Sequence, residues 1–378
     1  MSSNVADIKN ESVDWTAIAE ELGEKFHARS ADHDESGDFV TKNYDDLRSR
    51  GLFSAGIPAE LGGGGASHAE LCDVIRILGR HCGSTALSYA MHTHPVCANV
   101  FKYRRGDEQA KGALTKIAAS ELVIAGTGAN DWLASSGEAV EVEGGFTVTA
   151  HKRFVSGGPG ADLFVTSAVF EGDDGPEVLH FAVPMNSQGV EIQSNWNTLG
   201  MRGTGSNDIL LNDVFVPAAA IVARRPVGVW HPMWDVILPI ALAPIVACYV
   251  GLAESACEQA IAVAKGKEHL AAVVGQMKNE LTIAQMALRE MMATVDNYAF
   301  NPDAEITDAM LTRKAIAANA VKAVVEHAAD IVGGSGFYRR NAMERIVRDV
   351  RAIHYHPLPQ RHQQVFCGRI AIGLDPIG

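Results

Sequence analysis

The sequence is short of positive charge. Its 378 residues carry 32 Lys and Arg against 45 Asp and Glu, a formal net charge of −13 at pH 7. Nucleic acids and anionic membranes are bound through basic surfaces, so the balance argues against both as the main partner. A net charge of this size favours solubility instead.

Paired cysteine motifs and a membrane-spanning pattern are also missing. The six cysteines are scattered without a C-x-x-C pair, which is typical of buried thiols in a reducing cytoplasm. The first residues lack a basic-then-apolar order, so no signal peptide is expected. The longest apolar stretch, VWHPMWDVILPIALAPIVACYVGLA, contains Asp235, His231 and three prolines. It therefore predicts a buried helix rather than a membrane span.

The character of the chain changes twice along its length. Residues 1–121 show apolar side chains at three- and four-residue spacing, which predicts a helical domain. Residues 122–222 contain short β-branched runs broken by Gly, Pro and Asp, which predict an antiparallel β-barrel or sandwich. Residues 223–378 return to long amphipathic stretches, which predict a four-helix bundle with Thr307 or Asp308 capping one helix. The predicted fold class is α+β.

Three stretches carry a resemblance to a known family. They are GGFTVTAHKRFVSGGPGADLFVTSA (144–168), GMRGTGSNDILLNDVFVP (200–217) and ADIVGGSGFYRRNAMERIVRDVRA (329–352). Together with the order helices, strands, helices, they resemble the acyl-CoA dehydrogenase superfamily over nearly the whole chain. The resemblance implies that FAD is bound between the β domain and the last helices.

Specific cofactor contacts follow from this resemblance. It implies that Phe154 lies against the isoalloxazine ring and that Ser156, with its backbone, forms hydrogen bonds to the reactive edge of the ring. It also implies that a glycine-rich loop reaches the flavin of a neighbouring subunit, so a homodimer or homotetramer is expected. The residues of that loop are Gly333, Gly334, Ser335 and Gly336.

Two cofactor motifs depart from the family pattern. The stretch AGTGANDW stands where the family has a TEPGSD-like loop, and Thr127 is its obvious hydroxyl. KGKEHLAA replaces the arginine-and-phenylalanine motif that clamps the FAD diphosphate; Lys267 is the nearby stand-in, but an ammonium is not a bidentate fork. These departures leave room for FMN, or for reduced flavin supplied by a reductase.

The family's catalytic glutamate is missing as well. The resemblance places Pro357 where dehydrogenases have this base, and the alternative position, near Ala241, has no carboxylate. His356, beside Pro357, is the natural replacement because an imidazole can exchange a proton near neutral pH. His92 is a second candidate, on a helix that faces the pocket in relatives. No metal site is expected from His354, His356 and His362, because no carboxylate or cysteine stands at ligand spacing.

Three functions are open at this point. The leading hypothesis is a flavin-dependent dehydrogenase of an acyl thioester or related activated acid, with a non-standard base. The alternative is a two-component monooxygenase acting on an aromatic or heterocyclic substrate, a branch of the superfamily that has a histidine matching His356. A non-catalytic scaffold is the third, and the intact KRFVS motif disfavours it. The expected partners are a small-molecule substrate and an electron-transfer or flavin reductase protein.

Overall fold

Five helices open the part of the chain that the computed structural model describes, residues 13–127, 131 and 133–377. Asp14 caps the first helix by accepting a hydrogen bond from the Ala17 amide at 2.9 Å. Ser67 and Glu70 form a reciprocal capping box at the third. The helices are α1 (Trp15–Ser36), α2 (Thr41–Ser49), α3 (His68–His81), α4 (Gly83–Tyr103) and α5 (Glu108–Ser120).

A mixed sheet of eight strands follows. Its order is β6-β7-β3-β2-β4-β5-β8, with β1 on β4. Most neighbours are antiparallel, as predicted, but β1 and β2 both run parallel to β4. The strands are β1 (Ile124–Gly126), β2 (Glu138–Val142), β3 (Gly145–Lys152), β4 (Leu163–Gly172), β5 (Gly175–Pro184), β6 (Val190–Ile192), β7 (Ile209–Pro217) and β8 (Ile221–Pro226).

The chain ends in a second set of helices. The long α6, α7 and α8 pack side by side, and α10 lies on α8. Asp303 caps α8 by accepting from the Ile306 amide at 2.8 Å, so the prediction of a cap at Thr307 or Asp308 is wrong. The helices are α6 (Met233–Ala264), α7 (Ala271–Val295), α8 (Ala304–Val332), α9 (Ala342–Asp349) and α10 (Gln360–Ala371).

Helix α6 is the centre of the molecule. It is long and apolar enough to cross a membrane by composition, but 83% of its most apolar stretch is buried inside the protein. It packs on α3 and α4 from the first set and on α7 and α8 from the second. Both sets of helices therefore share one hydrophobic core, while the sheet has its own. The predicted order of helices, strands and helices is confirmed.

Candidate active site

The loop after β3 presents an aromatic ring to its surroundings. Phe154 is 51% exposed, and its φ of +61° places it in the left-handed region, which is rare for a bulky residue. Its ring makes an edge contact with Trp196, with 6.4 Å between the ring centroids. A half-exposed ring held in this way offers a flat apolar face to a planar ligand.

A chain of three hydroxyls lies behind this ring. The Ser156 and Ser206 hydroxyl oxygens are 2.7 Å apart, and Ser206 is 2.7 Å from the Thr204 hydroxyl. Thr204 donates its proton to the Met201 carbonyl at 2.8 Å, so it accepts from Ser206, and Ser206 in turn accepts from Ser156. Ser156 is therefore left with acceptor capacity rather than a free hydroxyl proton.

The same loop is fixed against the first helices. Gly157 has φ +76°, and a Cβ at this position would stand 2.8 Å from the Tyr44 hydroxyl. Its amide donates to the Thr204 carbonyl at 2.9 Å. Close packing of this kind requires glycine and leaves the loop little freedom.

Thr127 lies at the end of β1, where its hydroxyl is 2.9 Å from that of Thr166 on β4. Of the segment that follows, residues 128–130 and 132 lie outside the described part of the chain. Asp131 is buried and pairs with the fully buried Lys152 at 3.0 Å. Arg225, also buried, donates to the Asp131 carbonyl at 2.9 Å. Lys152 is the first residue of the KRFVS motif, but its pairing with the distant Asp131 and the contact of Arg225 with the same residue are not evident from the sequence pattern.

His356 lies between the last helices and α6. The imidazole Nε2 is 2.7 Å from the Tyr249 hydroxyl of α6, and Nδ1 makes no hydrogen bond to any described residue. Burial, together with the positive charge of Lys314, lowers the pKa of His356 to about 3. The ring is therefore neutral at physiological pH, with one nitrogen held and the other available.

No carboxylate of the described residues accompanies His356. Four carboxylates are buried in the described part of the chain, and each has other partners. Asp131 pairs with Lys152, Asp235 accepts from Thr307 and Trp230, Glu254 accepts from Arg76 and Gln285, and Asp349 accepts from the Met201 amide.

His92 is held by backbone groups alone. Its Nδ1 accepts from the Ile124 amide at 3.0 Å, so its Nε2 donates to the Phe53 carbonyl at 2.8 Å. Burial lowers its pKa to about 4. Both nitrogens of His92 are therefore occupied.

The remaining predicted cofactor residues lie apart from this region within one chain. Lys267 is exposed and lines a groove of about 440 Å³ with Ile261, Leu270 and Val274. Gly333 and Gly334 have open space where a Cβ would stand, and Ser335 donates to the Val332 carbonyl at 3.0 Å. No hydrogen bond or ring contact among described residues joins them to Phe154 or His356.

The observed groups suit a flavin better than a metal. The exposed Phe154 face and the braced hydroxyl chain fit a planar ring with polar edge atoms. Across residues 13–127, 131 and 133–377, no three His, Cys, Asp or Glu side chains stand close enough to hold a metal ion.

Family models match almost all of the chain. The acyl-CoA dehydrogenase N-terminal domain matches residues 15–121, the middle domain 120–214 and the C-terminal domain 243–361.

The curated relatives bear the names of dehydrogenases, monooxygenases and nitrososynthases. YdbM of Bacillus subtilis (strain 168), which bears the name of an acyl-CoA dehydrogenase, is 28% identical over 91% of this chain and 92% of its own. The dibenzothiophene monooxygenase of Rhodococcus qingshengii is 26% identical over 91% and 89%; amino sugar nitrososynthases are also among the relatives. The FMN-bound TdsC structure from Paenibacillus sp. A11-2 shares the fold, with a TM-score of 0.85, 18% identity and coverage of 97% and 99%. The chain is thus a flavin-dependent oxidoreductase and belongs to the acyl-CoA dehydrogenase superfamily.

Proposed function

We propose that this protein is a flavin monooxygenase that receives reduced flavin from a separate reductase and oxygenates an aromatic or heterocyclic substrate. The observation that carries the proposal is the commitment of every described buried carboxylate to another partner. Removal of an α-proton needs a base within hydrogen-bond reach of the substrate. None of these four carboxylates is available for that role.

His356 is a weak substitute for that base. With its pKa lowered to about 3, the imidazole holds a proton too weakly to take one from a carbon acid. A neutral imidazole can still accept or donate a hydrogen bond at Nδ1 while Tyr249 holds Nε2. We assign His356 the task of orienting a polar reaction partner by a hydrogen bond at Nδ1, and His92 the structural task of holding β1.

When bound, reduced flavin would supply two electrons for the reduction of O₂, so that one oxygen atom enters the substrate and the other leaves as water. Phe154 would provide the apolar face for its ring system, and Ser156 would accept a hydrogen bond from the edge of the ring. FMN is favoured over FAD because KGKEHLAA, with Lys267 in place of an arginine fork, stands where the family has its diphosphate clamp. The FMN in the TdsC structure supports the same choice.

The remaining expectations belong to this proposal. A dimer or tetramer is supported by the open glycine-rich loop, where Phe337 is 89% exposed beside Gly336. A flavin reductase is the expected protein partner, and the cytoplasm the expected compartment. The second candidate function, acyl thioester dehydrogenation, is favoured by the similarity to YdbM.

One pair of assays separates the two functions. The purified protein is supplied with FMN, NADH, a flavin reductase and ¹⁸O₂, and aromatic heterocycles including dibenzothiophene are screened for a product that gains one ¹⁸O atom. Labelled product is expected, and its yield falls about a hundredfold in His356→Ala but not in the exposed control His362→Ala. Anaerobic bleaching of bound flavin by an acyl-CoA, without labelled product, would establish the dehydrogenase instead.

A further inference from the structure

Lys314 is a buried cation beside His356. It lies on α8 with 2% of its surface exposed, and its ammonium donates to the carbonyls of His356 and Leu358, both at 3.0 Å. No carboxylate of the described chain forms an ion pair with it, and burial lowers its pKa to about 8. An ammonium paired only with carbonyls is costlier to bury than an apolar side chain of the same length.

The two hydrogen bonds fix a short turn from both sides. The carbonyls of His356 and Leu358 flank Pro357, so one ammonium fixes the backbone before and after that residue. The imidazole of His356 is held separately, through Nε2, by Tyr249 of α6. The histidine is therefore held between α8, through its backbone, and α6, through its ring.

The charges around His356 have one sign. The titratable groups that face it are Tyr249 from α6 and Lys314 from α8, and of these only Lys314 is charged at neutral pH. On its own segment, His354 is influenced by Lys322 and Arg351 as well as by Lys314. A second positive charge on the imidazole would meet repulsion and no compensating anion.

We propose that Lys314 is a positioning residue that holds His356 against Tyr249 in one orientation and one protonation state. The importance of this role for turnover rests on the proposed function, because His356 is the group that faces the reaction partner. The structural part of the inference does not depend on any flavin chemistry.

Nitrogen NMR of histidine-labelled, flavin-free protein tests this inference. In the native chain, the His356 ring is expected to stay in one neutral tautomer from about pH 5 to pH 8. Lys314→Met removes the charge and both donors to the His356 and Leu358 carbonyls, so the turn is released, the ring is expected to exchange between tautomers, and the pKa of His356 is expected to rise above its native value. Lys314→Gln removes the charge but keeps an amide donor, so the His356 ring is expected to keep a single tautomer at pH values above its pKa. Lys314→Arg keeps both the charge and the donors, so the ring is expected to stay neutral, as in the native chain.

Lys322→Met is the matched control on the same helix. It removes a charge near His354 and not near His356, so it raises the pKa of His354 and leaves the His356 signal unchanged. Thermal unfolding of each variant verifies that the fold is kept. An unchanged His356 titration and tautomer in folded Lys314→Met would overturn the inference. The ¹⁸O assay tests the proposed function, whereas the NMR titration tests the role of Lys314 in flavin-free protein. Absence of labelled product would therefore not change the NMR result, and failure of the proposed function can be distinguished from failure of this inference.

Discussion

At the residue scale, His92 and His356 are both neutral, but they differ in what their ring nitrogens contact. Both ring nitrogens of His92 form hydrogen bonds to backbone groups, the Phe53 carbonyl and the Ile124 amide of β1. His356 uses one nitrogen on a side-chain hydroxyl and keeps the other available. A ring that is fully satisfied stabilises the fold, whereas a half-satisfied ring at a ligand-binding region can serve chemistry.

The buried histidine His92 makes stability depend on pH. Its folded pKa of about 4 lies below the ordinary value of 6.5, so the unfolded chain binds the proton first on acidification. Its contribution is therefore present above pH 6.5 and is lost as the pH falls towards 4. Between about pH 7.5 and pH 5.5 this amounts to about 1 kcal/mol.

His92→Gln tests that contribution. Urea unfolding at the two pH values is expected to show a smaller loss of free energy of unfolding on acidification than in the native chain, by about 1 kcal/mol. The control His362→Gln changes an exposed histidine and is expected to show the same loss of free energy of unfolding between the two pH values as the native chain. An equal loss in all three proteins would contradict the assigned role of His92.

The sequence offers His356 as a candidate replacement for the missing glutamate but does not reveal what surrounds it. His356 is found from its place next to Pro357 in the resemblance. Tyr249 and Lys314 are separated from His356 by 107 and 42 residues along the chain. The sequence around each of them does not indicate that it contacts His356. Such contacts arise from the packing of three helices, which single-sequence periodicity does not determine.

At the scale of elements, Asp131 and Ser136, which lie between β1 and β2, are held by buried cations. Lys152, at the end of β3, donates to Asp131 Oδ2 at 3.0 Å and to the Ser136 carbonyl at 2.5 Å. Arg225, on β8, donates to the Asp131 carbonyl from the other side.

Removal of one partner of this pair should be costly. Lys152→Met leaves the Asp131 carboxylate buried and unpaired, and a loss of about 3–5 kcal/mol in free energy of unfolding is expected. The double variant Lys152→Met with Asp131→Leu removes both charges and should recover most of that loss. Denaturant unfolding of both single variants and the double variant measures the coupling. Additive losses would show that the pair does not act as a unit.

The direction of some strand pairs could not be predicted from the sequence pattern. Alternating runs predicted the strands and their mostly antiparallel arrangement, but not that β1 and β2 run parallel to β4. Parallel strands are joined by long connections rather than by tight turns, so no turn motif in the sequence indicates that they pair. The cap of α8 illustrates the same limit, because Asp303 and Thr307 are both residue types that favour a helix N-terminus. In the folded chain Asp303 caps the helix, and the Thr307 hydroxyl donates to Asp235 instead.

At the scale of the whole molecule, the two helical sets form one core around α6, and the sheet packs as a separate unit. The helical order and the composition of each set could be predicted from the sequence. Their common core could not, because both sets have apolar faces that could equally serve separate domains. This arrangement places Tyr249 of the central helix in contact with His356 near the chain's end.

The affinity for flavin in its two redox states tests the central claim most directly. Reduced flavin carries a negative charge near neutral pH, and the buried Lys314 ammonium beside His356 has no carboxylate partner among the described residues. Anaerobic titrations of FMN in both states are therefore expected to give a Kd at least about tenfold lower for the reduced form, a difference of about 1.4 kcal/mol. Equal affinities, or tighter binding of the oxidised form, would contradict a monooxygenase that accepts reduced flavin and would return the dehydrogenase to first place.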